Sequence, residues 1–250
     1  MSFTIATSLA DVLAGIAAGA RPIAGGTDLV VGARQGKAPL PDDLIAIDRV
    51  EELAAIEVGE TETRIGSGVT HARLMAEPII VDDFTALSDA AALVGSPSTR
   101  NVGTLGGNVM NGSPAMDTGA PLVVLDAVAE LRTVDGSRRV SMGELWTGPG
   151  QTSAGDDELC TALILPNRGS SSGSAYVRLE YRRAMEIAVV GAAAAVSIDG
   201  DHLTSVRVAL TAVAPTIIEV TGLEALAGRP IDDGLLPEVA EAAAVQASTI

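Results

Sequence analysis

Apolar positions recur at helical spacing near the start of the chain. Leu9, Val12, Leu13 and Ile16 share one face, Ser8 stands where an N-cap belongs, and Gly19 stands where the helix would stop. Arg21-Pro22-Ile23-Ala24 then predicts a short strand, Gly25-Gly26-Thr27 a tight turn, residues 28–35 a helix closed by Gly36, and residues 44–48 a second apolar strand. That succession predicts a small βαβ-type unit. After Ala55 the pattern changes: residues 56–58 and 63–65 predict short strands, a short helix follows from Thr70, and residues 83–94, rich in Ala and Leu, predict a longer one. Over residues 95–112, Gly, Asn, Ser and Thr dominate, which predicts a loop of a length usually kept for function. Residues 129–134 and 138–140 predict a hairpin around Asp135-Gly136, and 158–165 an apolar strand ended by Pro166. Residues 167–174 read as a Gly/Ser linker, 188–199 and 203–212 as a second hairpin around Gly200, and 222–228 and 236–246 as helices. A boundary near residue 170 follows, with a mixed α/β module after it.

Composition narrows the class. The chain has 250 residues, enough for one large domain or two modest ones, and at 47% apolar and 19% charged it is globular. Aromatics are only 2%, so Ala, Val, Leu and Ile must build the core. A formal charge of −16 argues against nucleic acid and against an anionic membrane surface. Solubility accounts for the acidity, and a basic partner subunit is the alternative. Cys160 is the only cysteine, which excludes an internal disulfide and an iron–sulfur cluster held by several thiolates of this chain. A lone thiol suits a reducing cytoplasm. Met1-Ser2-Phe3-Thr4 lacks the basic and apolar pattern of a signal peptide, and the longest apolar segment, 187–198, is too short to span a bilayer. A soluble, cytoplasmic protein without membrane insertion is the expectation.

Two glycine-rich sites carry the chemistry. The first, Ala24-Gly25-Gly26-Thr27-Asp28-Leu29, joins a strand to a helix through two glycines, leaving N–H groups unpaired and permitting close backbone approach to an anion. A double glycine there also has a plain reading as turn chemistry. The second is Asn101-Val102-Gly103-Thr104-Leu105-Gly106-Gly107-Asn108, continuing into Asn111-Gly112-Ser113-Pro114-Ala115-Met116-Asp117. Without a dense Lys/Arg patch, a bound diphosphate would have to be held by amides and dipoles, and two such segments can clamp it from both sides. Neither the GxGxxG turn of a Rossmann fold nor a P-loop is present.

These segments, with Ser174-Ala175-Tyr176-Val177-Arg178-Leu179 and Met185-Glu186-Ile187-Ala188-Val189-Val190-Gly191, resemble the FAD-binding subunit of the xanthine dehydrogenase and carbon monoxide dehydrogenase family along nearly the whole chain. The resemblance implies an α+β fold: a p-cresol methylhydroxylase / vanillyl-alcohol oxidase type FAD-binding domain over 1–168, with subdomains of about 1–55 and 56–168, and a small α/β C-terminal domain over 174–250. The tail after Gln246 is shorter than the family leads one to expect. The implied FAD contacts are Ile23, Ala24, Gly25, Gly26, Thr27, Asp28 and Leu29 on the first segment and Thr104, Gly106, Gly107 and Asn108 on the second, with Ser113 after it. Asp117 matches a family aspartate beside the flavin polyol, where a carboxylate accepts from hydroxyls; an N-cap of the Thr118-Gly119 turn is its other reading. Arg178 falls near a basic residue that approaches the isoalloxazine in relatives, and a solvated surface arginine is the alternative. Cys160 either lines the flavin edge or is a core thiol, and His71 reads as a helix-start residue without a covalent-attachment motif.

The implied function is an electron relay. A large subunit with a molybdopterin cofactor oxidises the substrate, a small subunit passes electrons from [2Fe–2S] clusters, and FAD on this chain hands them to an external acceptor. The absence of a His/Glu/Asp constellation fits a chain without acid–base catalysis of its own. A single-chain flavin-dependent oxidase or reductase of the same fold, or a non-catalytic scaffold subunit, are the competing readings. A side chain at Gly26 or Gly106 is expected to collide with the diphosphate and leave the fold intact.

Overall fold

The computed structural model describes residues 2–182 and 184–248, and their strands form three main sheets and one small ladder. The first contains β1 (Ser2–Ile5), α1 (Leu9–Ala17), β2 (Arg21–Ile23), α2 (Leu29–Arg34) and β3 (Asp43–Ala46), with β3 central and parallel to both neighbours. Ser8 caps α1 by accepting from the Asp11 N–H at 3.2 Å, and Val12 and Ile16 bury the predicted face. β1 was not legible in the sequence, because Phe3 and Ile5 stay exposed on a short outer strand.

The second sheet has the order β4 (Ile56–Val58), β5 (Glu62–Gly66), β10 (Leu159–Pro166), β6 (Val128–Arg132), β7 (Ser137–Ser141), antiparallel throughout. β4 (Ile56–Val58) and β5 (Glu62–Gly66) lead into the short helices α3 (His71–Leu74), α4 (Pro78–Asp83), α5 (Thr85–Leu93), α6 (Pro97–Val102), α7 (Leu105–Asn111) and α8 (Gly119–Val124). The hairpin β6 (Val128–Arg132) and β7 (Ser137–Ser141) follows, then α9 (Met142–Leu145), the ladder of β8 (Trp146–Gly148) with β9 (Gln151–Thr152), and β10 (Leu159–Pro166). The third sheet is an antiparallel meander of β11 (Ser172–Leu179), β12 (Val190–Asp199), β13 (His202–Thr211) and β14 (Ile218–Glu219), followed by α10 (Leu235–Gln246).

Several expectations need correction. The helix expected over 83–94 is α5, starting two residues later, and an unexpected helix, α4, precedes it; Phe84 separates the two by leaving helical geometry (φ −127°, ψ 44°), its fully buried ring sitting in the core. The loop expected over 95–112 is α6 and α7. Ser96 accepts from the Thr99 N–H, Pro97 occupies the first turn, Thr104 accepts from the Gly107 N–H, and Gly112 ends the second helix at φ 62°. Side-chain caps at both N-termini and a left-handed glycine at the end of α7 outweigh the poor helix propensity of Gly and Asn. The linker expected over 167–174 already enters β11 at Ser172, and Asn167 is tied back to Thr63 and to the Gly59 carbonyl. Within 222–228 only the 3₁₀ turn Leu223–Leu226 is helical.

The principal core runs from β5 and β10 through α5, α7 and α8 into the inner face of the third sheet, where Tyr176, Ala193 and Ala209 join it. No helix among the described residues is long and apolar enough to cross a membrane. Phe84 is the largest fully buried side chain, so Phe84→Ala is expected to lower stability by about 3–5 kcal/mol, read as a shift of the urea midpoint at unchanged slope.

Candidate functional site

The first glycine turn is left open by its own hydrogen bonding. The Ile23 carbonyl accepts from the Ile47 N–H at 3.0 Å, which ends the β2–β3 ladder, and the chain then turns through Gly26 at φ 65°. Among the described residues, the backbone N–H groups of residues 25–29 donate to no protein acceptor. Asp28 precedes α2 without capping it, and Ala24, Thr27 and Leu29 are only partly buried. Consecutive unpaired amides are a concavity suited to a polyanion.

The second segment differs from expectation. Its first-turn N–H groups are already used: Leu105 donates to the Val69 carbonyl at 2.9 Å, Gly106 to the Ser67 carbonyl at 2.8 Å, Gly107 to Thr104 Oγ1 at 3.1 Å, and Asn108 to the Thr104 carbonyl at 3.0 Å. What its glycines supply is closeness. A Cβ on Gly106 would stand 2.4 Å from the Ser67 Cβ, so a side chain there breaks the packing of α7 itself. This corrects the expectation that only a diphosphate excludes it. Gly107 is different, since it is exposed and a Cβ on it would meet only Thr104 Oγ1 at 3.0 Å.

The two segments meet. A Cβ on Gly25 would lie 1.9 Å from the Val102 carbonyl oxygen, so the turn and the end of α6 touch backbone to backbone. Beneath them is His71, 2% exposed, whose N–H donates to the Gly103 carbonyl at 3.1 Å. Its Nδ1 and the Ser67 Oγ are buried without hydrogen-bond partners among the described residues. Burial, then the charge of Arg100, pushes the His71 imidazole down to about 4. The sequence placed His71 at a helix start, and in the structure Thr70 caps that helix; the burial of His71 comes from long-range packing that no local pattern announces.

Asp117 and Arg178 form a separate buried cluster. Asp117 accepts from Tyr176 Oη and from Arg178 Nη1, each at 2.8 Å, and Arg178 Nε donates to Glu180 at 2.7 Å. The Arg178 side chain is 1% exposed, which overturns the solvated-surface alternative. Asp117 does not cap α8 either, since its carboxylate turns inward to β11. Burial raises the Asp117 carboxyl above its ordinary value, while Tyr176 and Arg178 pull the other way. The cluster ties residues 113–117 to the third sheet, helped by Thr211 Oγ1 donating to the Pro114 carbonyl at 2.8 Å. Ser113 makes a local turn bond from the Ala115 N–H. Asn108 accepts from Thr118 Oγ1 at 2.6 Å, fixing α7 to the start of α8.

Cys160 lies inside the principal core at 4% exposure, its thiol directed at the Ala162 carbonyl. Placing it on a flavin edge is thereby corrected: packing on all sides leaves it no open face. Two cavities, of about 560 and 430 Å³, lie elsewhere, against α1 with the tip of the β6–β7 hairpin and beside Asp82 with Arg168. Neither is lined by a residue of the glycine segments.

With this geometry in place, a family model described as the FAD binding domain in molybdopterin dehydrogenase matches residues 1–168. The chain belongs to that family. A second model, the CO dehydrogenase flavoprotein C-terminal domain, matches residues 175–250. The family member is 36% identical over 180 residues to the nicotinate dehydrogenase FAD-subunit of Eubacterium barkeri, covering 71% of this chain and 60% of that one. It is 33% identical over 221 residues to the xanthine dehydrogenase FAD-binding subunit of Escherichia coli, covering 87% and 75%. In structure it matches a carbon monoxide dehydrogenase chain from Hydrogenophaga pseudoflava, from an enzyme lacking the Mo-pyranopterin moiety, with a TM-score of 0.93 at 27% identity over 100% of this chain and 88% of that one. The mixed α/β fold, an FAD-binding domain followed by a C-terminal domain, is thus that of the family.

Two predictions follow from the buried groups. Burial pushes the Cys160 thiol up to about 12, so a chromogenic disulfide reagent should titrate no thiol in the native chain and one after denaturation; rapid native reaction would contradict its placement. His71 titrates near 6.5 when unfolded and about 4 when folded. Between those values the unfolded chain binds the extra proton, so stability falls as pH drops, by roughly 3 kcal/mol at the acid end. The difference in stability between wild type and His71→Leu should change over that window and be flat above it.

Proposed function

We propose that this chain is the FAD-carrying electron-transfer subunit of a heteromeric molybdenum hydroxylase or dehydrogenase. It would take electrons from the [2Fe–2S] clusters of a small partner subunit, while a large subunit holds the molybdopterin cofactor and the organic substrate. The observation that carries this reading is the meeting of an open-amide turn, residues 25–29, with the α6–α7 glycine segment, in a chain of that family. The names of the relatives agree: each is an FAD subunit or medium chain of a dehydrogenase.

The residues fit FAD. Unpaired amides of 25–29 would donate to the diphosphate oxygens, which suits a chain whose formal charge is −16 and whose sequence has no dense Lys/Arg patch. Thr104, Gly107 and Asn108 would form the facing wall, with Ile23 and Ala24 leading into the turn. Gly106 and Ser113 would support that wall, and Asp117 with Arg178 would hold the C-terminal strand against the polyol side. FAD supplies the conversion between one-electron and two-electron transfer. The protein supplies position, exclusion of water, and a fixed distance to partner clusters.

The domain division belongs to the same proposal. The three-stranded sheet stays within residues 2–46, the five-stranded sheet within 56–166 and the meander within 172–219. That supports subdomains of about 1–55 and 56–168 in an FAD-binding domain of the p-cresol methylhydroxylase / vanillyl-alcohol oxidase type, and a C-terminal domain over 174–250. A buried reduced thiol and the lack of a membrane-crossing helix among the described residues support a cytoplasmic setting.

The test is reconstitution. The full chain should take up one FAD and turn yellow, and its flavin should bleach with substrate only after both partner subunits are added. Gly107→Val, at an exposed position where a Cβ meets only Thr104 Oγ1 at 3.0 Å, should lower FAD affinity at least tenfold, about 1.4 kcal/mol, in a chain that still folds. A folded chain that takes up no FAD, or a Gly107→Val variant with full retention, overturns the reading.

A further inference from the structure

We propose that His71 is a positioning residue of this site, donating its Nε2–H to the FAD diphosphate from beneath the seam between the two glycine segments. The inference deepens the FAD reading above and rests on it. Nothing in the local sequence around Thr70-His71-Ala72 marks the residue; its placement in the fold does.

Two observations place the residue beside both segments. Its main-chain N–H is bound to the Gly103 carbonyl at 3.1 Å. Its Cδ2 lies 3.4 Å from the point where a Cβ on Gly103 would stand, and Thr27 Oγ1 lies 3.6 Å from that same point. Thr27 belongs to the open-amide turn, so the imidazole Cδ2 and that turn approach Gly103 together, and Nε2, unlike Nδ1, is not among the fully buried atoms left without a partner. The opposite edge is closed: Nδ1 is fully buried and has no hydrogen-bond partner among the described residues.

The proton is then placed by elimination. A neutral imidazole has one N–H, and an orphaned buried N–H is rarer than an unpaired lone pair. The hydrogen therefore belongs on Nε2, at the seam, with Nδ1 left as the unpaired acceptor. Burial and the neighbouring charge of Arg100 keep the ring neutral. A neutral donor adds one hydrogen bond to a polyanion held by backbone amides and adds no buried charge that would need a partner when the site is empty.

The experiment compares the full-length wild type, His71→Leu and His71→Gln. FAD and ADP are titrated by calorimetry, and the histidine side-chain nitrogens are followed by long-range ¹H–¹⁵N correlation, with the exposed His202 as internal reference. His71→Leu should weaken FAD and ADP alike, by about ten- to hundredfold, the range for a hydrogen bond to a charged group. His71→Gln, which keeps a donor, should recover part of the loss. In the wild type, His71 should be the Nε2–H tautomer, and its Nε2 resonance should move on adding either ligand while His202 stays fixed. If the wild type takes up no FAD, the FAD reading itself falls, and this inference with it. If FAD binds and the His71→Leu affinity is unchanged, or the His71 resonance of the wild type does not move, only the inference falls. A loss confined to FAD, with ADP unaffected, overturns the assignment to the diphosphate. The wild-type spectra decide the matter even if His71→Leu does not fold.

Discussion

The site depends on one contact: the backbone of Gly25 against the Val102 carbonyl, close enough that a single methyl group at Gly25 would stand 1.9 Å from that oxygen. No side-chain pair can bring two chain segments this near. The contact makes a turn from the first sheet and a helix end from the second into one surface, although about eighty positions separate them in sequence. The main-chain bond of His71 to Gly103 fixes the second partner, and the β2–β3 ladder fixes the first. The turn's amides stay free of both: among the described residues, the N–H groups of residues 25–29 donate to no protein acceptor.

Electrostatics explain why amides are used. A chain this acidic that gathered lysines around a diphosphate would have to hold them against many carboxylates. Most of the arginines here are instead paired: Arg138 with Glu158, Arg139 with Glu62, Arg207 with Glu219 and Asp126. Backbone dipoles bind an anion without a counter-charge and do not titrate. The buried ionic cluster of Asp117, Arg178 and Glu180 serves another purpose, joining the loop after α7 to β11. Gly191 completes it, since a Cβ there would lie 2.2 Å from the Tyr176 hydroxyl. The third sheet is therefore built onto the flavin domain through a polar pin inside an otherwise apolar contact.

Much of this was legible in the sequence, for identifiable reasons. The amphipathic spacing of Leu9, Val12, Leu13 and Ile16, the Asp135-Gly136 hairpin and the strand ended by Pro166 are local signals, and the structure agrees with them. The glycine pairs marked two segments that the structure brings together, because glycine tolerates what other residues cannot. The misreadings came from tertiary effects. Composition hid α6 and α7, where side-chain caps, and in α7 the burial of Leu105 and Val109, outweigh weak propensity, and α4 before Phe84 was missed altogether. The inward turn of Asp117, the burial of Arg178 and the enclosure of His71 all depend on partners dozens of residues away. No pattern within a window of the chain contains them.

Amide hydrogen exchange with and without FAD tests the central claim most directly. The unpaired N–H groups of residues 25–29 should exchange rapidly in the apo chain and become strongly protected when FAD binds. The amides of residues 105–108, already bonded within the protein, should change little. Bound flavin with residues 25–29 still exchanging freely, and protection arising elsewhere, would contradict the account.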